Sequence, residues 1–217
     1  NTLLAEMTDE VAELVLADNY SQNEALSLAR HLAPRLFGVH RRLMTELERT
    51  GRLDRALEFL PDDETAATRE SLTSPELSVL LAYVKITLAD DILASGVPDD
   101  PWCRPILRDY FPTALREKYA RSTETHPLRR EIITTAVVNE VVNHGGISFV
   151  YRAMEETGAS PADIVRAYAV IRDVFGLAGE ALPDVVASDA VVGTTTAFGG
   201  EVPVTGLIVD QQAALLA

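Results

Sequence analysis

Residues Leu72 to Leu93, LTSPELSVLLAYVKITLADDIL, constrain this chain more than any other stretch, because they spell a capped helix that is apolar on almost every side. Thr73 and Glu76 have capping-box spacing, and Pro75 sits in the first turn, where a missing N–H costs nothing. Ser95-Gly96 and then Pro98 supply the stop. At 100° per residue, Ser78, Ala82, Lys85 and Ala89 form one narrow stripe of small or polar side chains on an otherwise greasy surface. Such a helix is enclosed by neighbours or crosses a membrane. Lys85 interrupts its apolar run and Asp90-Asp91 close it, short of the roughly 18 uninterrupted residues that a span requires. The block therefore predicts the central helix of a bundle.

Other segments carry their own helix signals. Leu3 to Asp18 predicts an amphipathic helix with Leu3, Met7, Val11, Leu14 and Val15 on one face. Asn19-Tyr20 reads as a break, and Ser21 with Glu24 as the cap of a second helix reaching Arg49 and ended by Gly51. Ala25, Ala29, Leu32, Leu36, Val39 and Leu43 form a coiled-coil-like seam of period about 3.5. Pro34 is expected to kink or split this helix. PDDETAATRES is expected to be a polar connection, and VPDDPWCRPIL a loop with short turns. Pro112 opens a short helix to Arg121, and His126-Pro127 opens one over Leu128 to His144, stopped by Gly145-Gly146. Two more span Ile147 to Thr157 and Pro161 to Phe175, the latter with an Ile164, Tyr168, Ile171 and Phe175 stripe. Residues 177 to 205 show no period and are expected to be irregular or weakly strand-like; the closing DQQAALLA reads as a helix cut short. The expected fold is all-α: an irregular multi-helix bundle over residues 1–176 with a less regular tail over 177–217.

Net charge is −14, from 33 acidic and 19 basic residues, which argues against nucleic acid and anionic membranes as partners. All the bases lie at or before Arg172, so the chain's organisation changes there. Cys103 is the single cysteine, which excludes an internal disulfide. With no signal peptide in view, the expected compartment is the cytoplasm, and the missing initial Met suggests a piece of a longer chain.

Candidate chemical groups are few, and each has a bland reading. His31 and His40 lie nine residues apart on one helix, on roughly opposite faces, which prevents shared metal ligation. His126 and His144 stand at a helix start and end, where imidazoles cap. Cys103 beside Arg104 would be an activated thiol only if its pKa were lowered; a lone cysteine is expected to be inert. Lys85 is expected at solvent or in a small polar seam, and Asn139 with Asn143 to fix helix register. Asp62-Asp63, Asp90-Asp91 and Asp99-Asp100 read as caps and solvated surface. Gly176-Leu-Ala-Gly179 lacks the preceding strand of a dinucleotide site, and no catalytic, cofactor-binding or metal-ligating residue is assigned.

Five segments taken in order, EMTDEVAELVLADNYSQN, LDRALEFLPDDE, LTSPELSVLLAYVKITLADDIL, HPLRREIITTAVVNEVVNHGGISFVYR and EETGASPADIVRAYAVIRDVF, together with Tyr110-Phe111-Pro112, resemble the C-terminal helical region of the large bacterial NAD-specific glutamate dehydrogenases. The resemblance covers residues 3 to 176. It implies a parent enzyme that oxidatively deaminates L-glutamate to 2-oxoglutarate with NAD, whose catalytic Lys, Asp and nucleotide fingerprint match nothing in this chain. It further implies that NAD binds outside this segment, that the partner is the catalytic core of the same polypeptide, and that the assembly is a homo-oligomer. The family continues into an amphipathic helix and a Trp-containing end, from which the Gly- and Thr-rich tail departs. The competing readings are a free-standing helical interaction module that recruits a partner along the Ala25 to Leu43 seam, and a small helical enzyme using Lys85 or the two asparagines.

Overall fold

Helix α1 runs unbroken over Thr2–Arg49, 48 residues, in the computed structural model of the chain, which describes residues 2–175, 191–195 and 202–205. The expected break at Asn19-Tyr20 is absent. Asparagine costs a helix well under 1 kcal/mol relative to alanine, and local bonds hold both residues in the helix. Asn23 Nδ2 donates to the Asn19 carbonyl at 2.9 Å, and the Tyr20 hydroxyl meets the Glu24 carboxylate one turn on. Ser21 does not cap. Pro34 also leaves the helix intact: it is exposed, and the carbonyl it deprives of a donor belongs to exposed Arg30, on the solvent side where water can serve it.

Short elements follow: α2 Asp63–Ala67, capped by Asp62, whose carboxylate accepts from Thr65 N at 2.7 Å, and then α3 Ser74–Ala94. The Glu76 carboxylate accepts from Thr73 N (2.7 Å) and Thr73 Oγ1 (2.8 Å), as the capping-box spacing requires. Leu77, Leu80, Leu81, Val84, Leu88 and Ile92 are buried, each contributing about 1.5–3 kcal/mol by removal from water. The expected loop over VPDDPWCRPIL instead holds a 3₁₀ turn, Val97–Asp99, and helix α4, Cys103–Tyr110. Pro105 lies in the first turn of α4, where its absent N–H has no helical partner to lose. What reads as one helix after Pro112 is two, α5 Thr113–Lys118 and α6 Ala120–Glu124, parted at Tyr119, whose ψ is 32°.

Helix α7, Arg129–Gly145, ends where Gly146 takes φ +91°, a conformation that disfavours any side chain. A Cβ on Gly145 would stand 3.0 Å from the Phe149 ring, so glycine lets the next helix fold back closely. Helices α8, Phe149–Thr157, and α9, Pro161–Phe175, complete the series.

Helices α3 and α7 pack on one another at the centre, with α1 against both, α9 against both, and α4 and α8 against α7. Arg130, on α7, donates from Nη2 to the carbonyls of Leu93 (2.7 Å) and Ser95 (3.0 Å) and also binds Asp99. The last turn of α3 is thus closed by a side chain of α7. The buried residues of α1 are Ala25, Ala29, Ala33, Phe37, His40, Leu43, Met44 and Leu47, so the predicted seam leaves the buried line after Ala29, with Leu32, Leu36 and Val39 half-buried, and rejoins it at Leu43. On α9, Ile164 and Tyr168 are buried as expected, but Ile171 is exposed, and Val165 and Ala169 take its place.

The chain forms two compact units, Asn1–Ala181 and Leu182–Ala217. Every described element of the first is helical, and the fold is all-α. Within the second, β1 Val191–Thr195 and β2 Val202–Thr205 pair antiparallel, with Thr194 opposite Pro203. The rest of the tail, including DQQAALLA, lies outside the described residues.

Candidate functional site

The polar residues singled out in the sequence converge where α1, α3 and α7 meet. Lys85, half-buried on α3, donates from Nζ to Asn139 Oδ1 on α7 at 2.9 Å. Burial lowers its pKa, and the Asp18 carboxylate opposes that shift. One turn along α7, buried Asn143 donates from Nδ2 to Ser21 Oγ on α1 at 2.8 Å. The i, i+4 asparagines thus tie α7 to both neighbours, the register role expected of buried amides. Lys85 lies in the small polar seam of its stripe.

Two grooves flank this joint. One, of about 400 Å³, runs between α1 and α7, with Val11, Leu14 and Val15 on its α1 side and Asn139, Glu140 and Asn143 on its α7 side. The other, of about 380 Å³, lies between α1 and α3 and contains Lys85 and Ser78 beside Asn19 and Asn23. Asn139 borders both. Glu140 holds the outer edge, receiving Arg172 Nη1 at 3.2 Å and lying 3.5 Å from His144 Nδ1.

Of the remaining candidates, His144 lines the α1/α7 groove and the others lie elsewhere. His31 is exposed, while His40, on the other side of α1, is 1% exposed and has Nδ1 without a hydrogen bond among the described residues. Burial, with the positive charge of Arg152, drops its pKa to about 4, so it is neutral at pH 7. His126 Nδ1 accepts from Leu128 N at 3.2 Å and its ring packs on Phe111, a helix-start cap. His144 Nδ1 lies 3.0 Å from the Glu140 carbonyl. Cys103 is buried and donates from Sγ to the Val97 carbonyl at 3.3 Å. Burial and then the Asp100 charge push its thiol up to about 12, opposite to activation, and the cation beside it is Arg166, not Arg104. Among the described residues no group of three or more His, Cys, Asp or Glu is placed to hold a metal ion.

The acidic pairs do more than solvate the surface. Arg52 reaches Asp91 at 2.9 Å and Asp90 at 3.6 Å, joining the end of α1 to the end of α3. Asp99 takes Arg129 and Arg130, and Asp100 takes Arg166 of α9 at 2.8 Å. Doubled aspartates at helix ends signal docking points for arginines distant in sequence, which local reading misses.

Comparison with known proteins bears on the same residues. The family model described as "Glutamate dehydrogenase, C-terminal" matches residues 69–199. The chain belongs to the glutamate dehydrogenase C-terminal family. It is 49% identical over 181 residues to an NAD-specific glutamate dehydrogenase of Halomonas elongata and 48% identical over 181 residues to one of Pseudomonas aeruginosa. It is 42% identical over 179 residues to a third, of Mycobacterium tuberculosis. The matches cover 82%, 82% and 81% of this chain but 11% of each relative's length. α3, α7 and the Lys85, Asn139 and Asn143 joint all lie inside the glutamate dehydrogenase C-terminal match, whereas the arm of α1 that forms the other wall of both grooves precedes it. No helix among the described residues is long and apolar enough to cross a membrane.

Proposed function

We propose that this chain is the C-terminal helical domain of an NAD-dependent glutamate dehydrogenase, converting L-glutamate, NAD and water to 2-oxoglutarate, ammonium and NADH. In this reading the domain is itself non-catalytic. Glutamate and NAD bind elsewhere in the same polypeptide, and the bundle packs on the catalytic core or on another subunit of a cytoplasmic homo-oligomer, supporting assembly or regulation. The observation that carries the reading is 49% identity across 82% of the chain to an NAD-specific glutamate dehydrogenase. The geometry agrees with it, since Lys85, Asn139, Asn143 and Ser21 are spent joining helices to each other.

The test compares the isolated 217-residue chain with a full-length polypeptide that contains it, following NADH formation from glutamate and NAD. The expected result is turnover by the full-length protein alone. Turnover by the isolated chain would place the chemistry here and overturn the assignment. Sedimentation of the full-length protein with and without this region reads the assembly role directly, as a change in oligomer size.

A further inference from the structure

The groove between α1 and α7 is a gap braced at both ends. At one end the Glu10 carboxylate accepts from Thr113 N (2.9 Å) and Thr113 Oγ1 (2.8 Å); at the other, Ser21 accepts from Asn143 (2.8 Å). Between these braces α1 runs for roughly 16 Å at 1.5 Å per residue. Over that length it does not close down on α7. Val11, Leu14 and Val15 line the groove yet stay 41%, 42% and 54% exposed, although they form the apolar face of an amphipathic helix. A groove of about 400 Å³ lies in the size range of small-ligand sites.

The polar side of the groove contains an unmet demand. Asn143 is 8% exposed, and with Nδ2 committed to Ser21 its Oδ1 has no hydrogen-bond partner among the described residues. Turning the amide over would only strand the nitrogen instead. Such a buried polar atom is costly unless something completes it. The sign of charge in the groove is negative. Asp18 has no cation within ion-pair distance among the described residues, and Glu140 is shared by Arg172 and His144. The nearest lysine, Lys85, is directed to Asn139 in the neighbouring groove.

From this pairing of an apolar wall with an acceptor-rich, negative one, we infer that the α1/α7 groove binds an aliphatic cation: an ammonium or guanidinium group on an unbranched hydrocarbon stem. The stem lies along Val11, Leu14 and Val15. The cationic head donates toward Asp18 and the Asn143 amide, and it supplies the charge that the groove lacks.

The experiment is calorimetric titration of the 217-residue chain with n-pentylammonium at low salt, with n-pentanol and ammonium ion as controls for the stem and the head alone. Saturable one-site binding of n-pentylammonium is expected, at least tenfold tighter than either control. Asp18→Asn alters an exposed position and keeps the fold, which circular dichroism checks; it is expected to weaken binding at least tenfold, while Asp9→Asn, outside the groove, leaves it unchanged. The absence of saturation at millimolar concentration overturns the inference. So does equal binding of n-pentanol, or an Asp18→Asn chain that binds as the Asp9→Asn chain does.

Discussion

The two halves of α1 share one backbone and differ in almost everything else. Beyond Ala25 the helix lays a continuous buried line into the bundle through Ala33, His40, Met44 and Leu47. Before it, Leu4, Val11, Leu14, Val15, Leu16 and Tyr20 are exposed, and Glu10 with Thr113 and Ser21 with Asn143 brace the arm. Helix elongation is far easier than nucleation, so a turn held by tertiary packing can carry a poorly packed extension. The difference teaches that secondary structure here runs past the packing that stabilises it. The open half is where a surface for another molecule remains.

The contrast can be broken by substitution. Met44→Ala, in the packed half, is expected to cost about 2–5 kcal/mol by the lost transfer energy and the cavity left behind, while Val15→Ala in the open half costs under about 0.5 kcal/mol. Urea unfolding measures both, and similar losses would erase the distinction between the halves. Acid is expected to strike the packed half next. His40 titrates near 6.5 when unfolded and about 4 when folded, so the unfolded chain binds the proton first as pH falls. The contribution of His40 is complete above about pH 6.5, declines from there to about pH 4 and then levels, a loss of about 3 kcal/mol for that shift. The urea midpoint followed from pH 7 to 4 tests this, and His40→Gln is expected to flatten the decline; an unchanged slope would acquit His40. A smaller loss than either Met44→Ala or acid brings is expected from Ser21→Ala, which removes one brace and costs about 1 kcal/mol. Hydrogen exchange is then expected to quicken over residues 8–20 and to stay unchanged over 40–47.

The same division explains what could be read in advance. Capping, helix-stop and periodicity signals are local, so α3, α7 and α9 lie within about a residue or two of their expected limits, the usual ambiguity of helix ends. The α1 seam leaves the buried line between Leu32 and Val39 because a strict heptad does not follow a helix whose own period drifts about 20° per heptad against it. The true line also passes through His40, which a search for apolar residues skips. Asn19 and Pro34 do not break α1, since each residue type disrupts a helix only where no local bond or solvent compensates. Of the site, Lys85 and the Asn139 and Asn143 pair were visible as polar residues on greasy helices. Their partners were not: Ser21 is 122 residues from Asn143 in sequence, and Asp18 became part of the site only once α1 continued through the expected break.

The cap that Arg130 places on α3 has a consequence for how this bundle comes apart. A helix finished by its own residues can form and fray alone, but the Leu93 and Ser95 carbonyls wait for a guanidinium delivered 37 and 35 residues later. The final turn of α3 and the opening turn of α7 therefore share one fate. Neither is complete until both are docked, and a fluctuation that frees the first α7 turn uncaps α3 in the same event, making the two central helices a single cooperative unit.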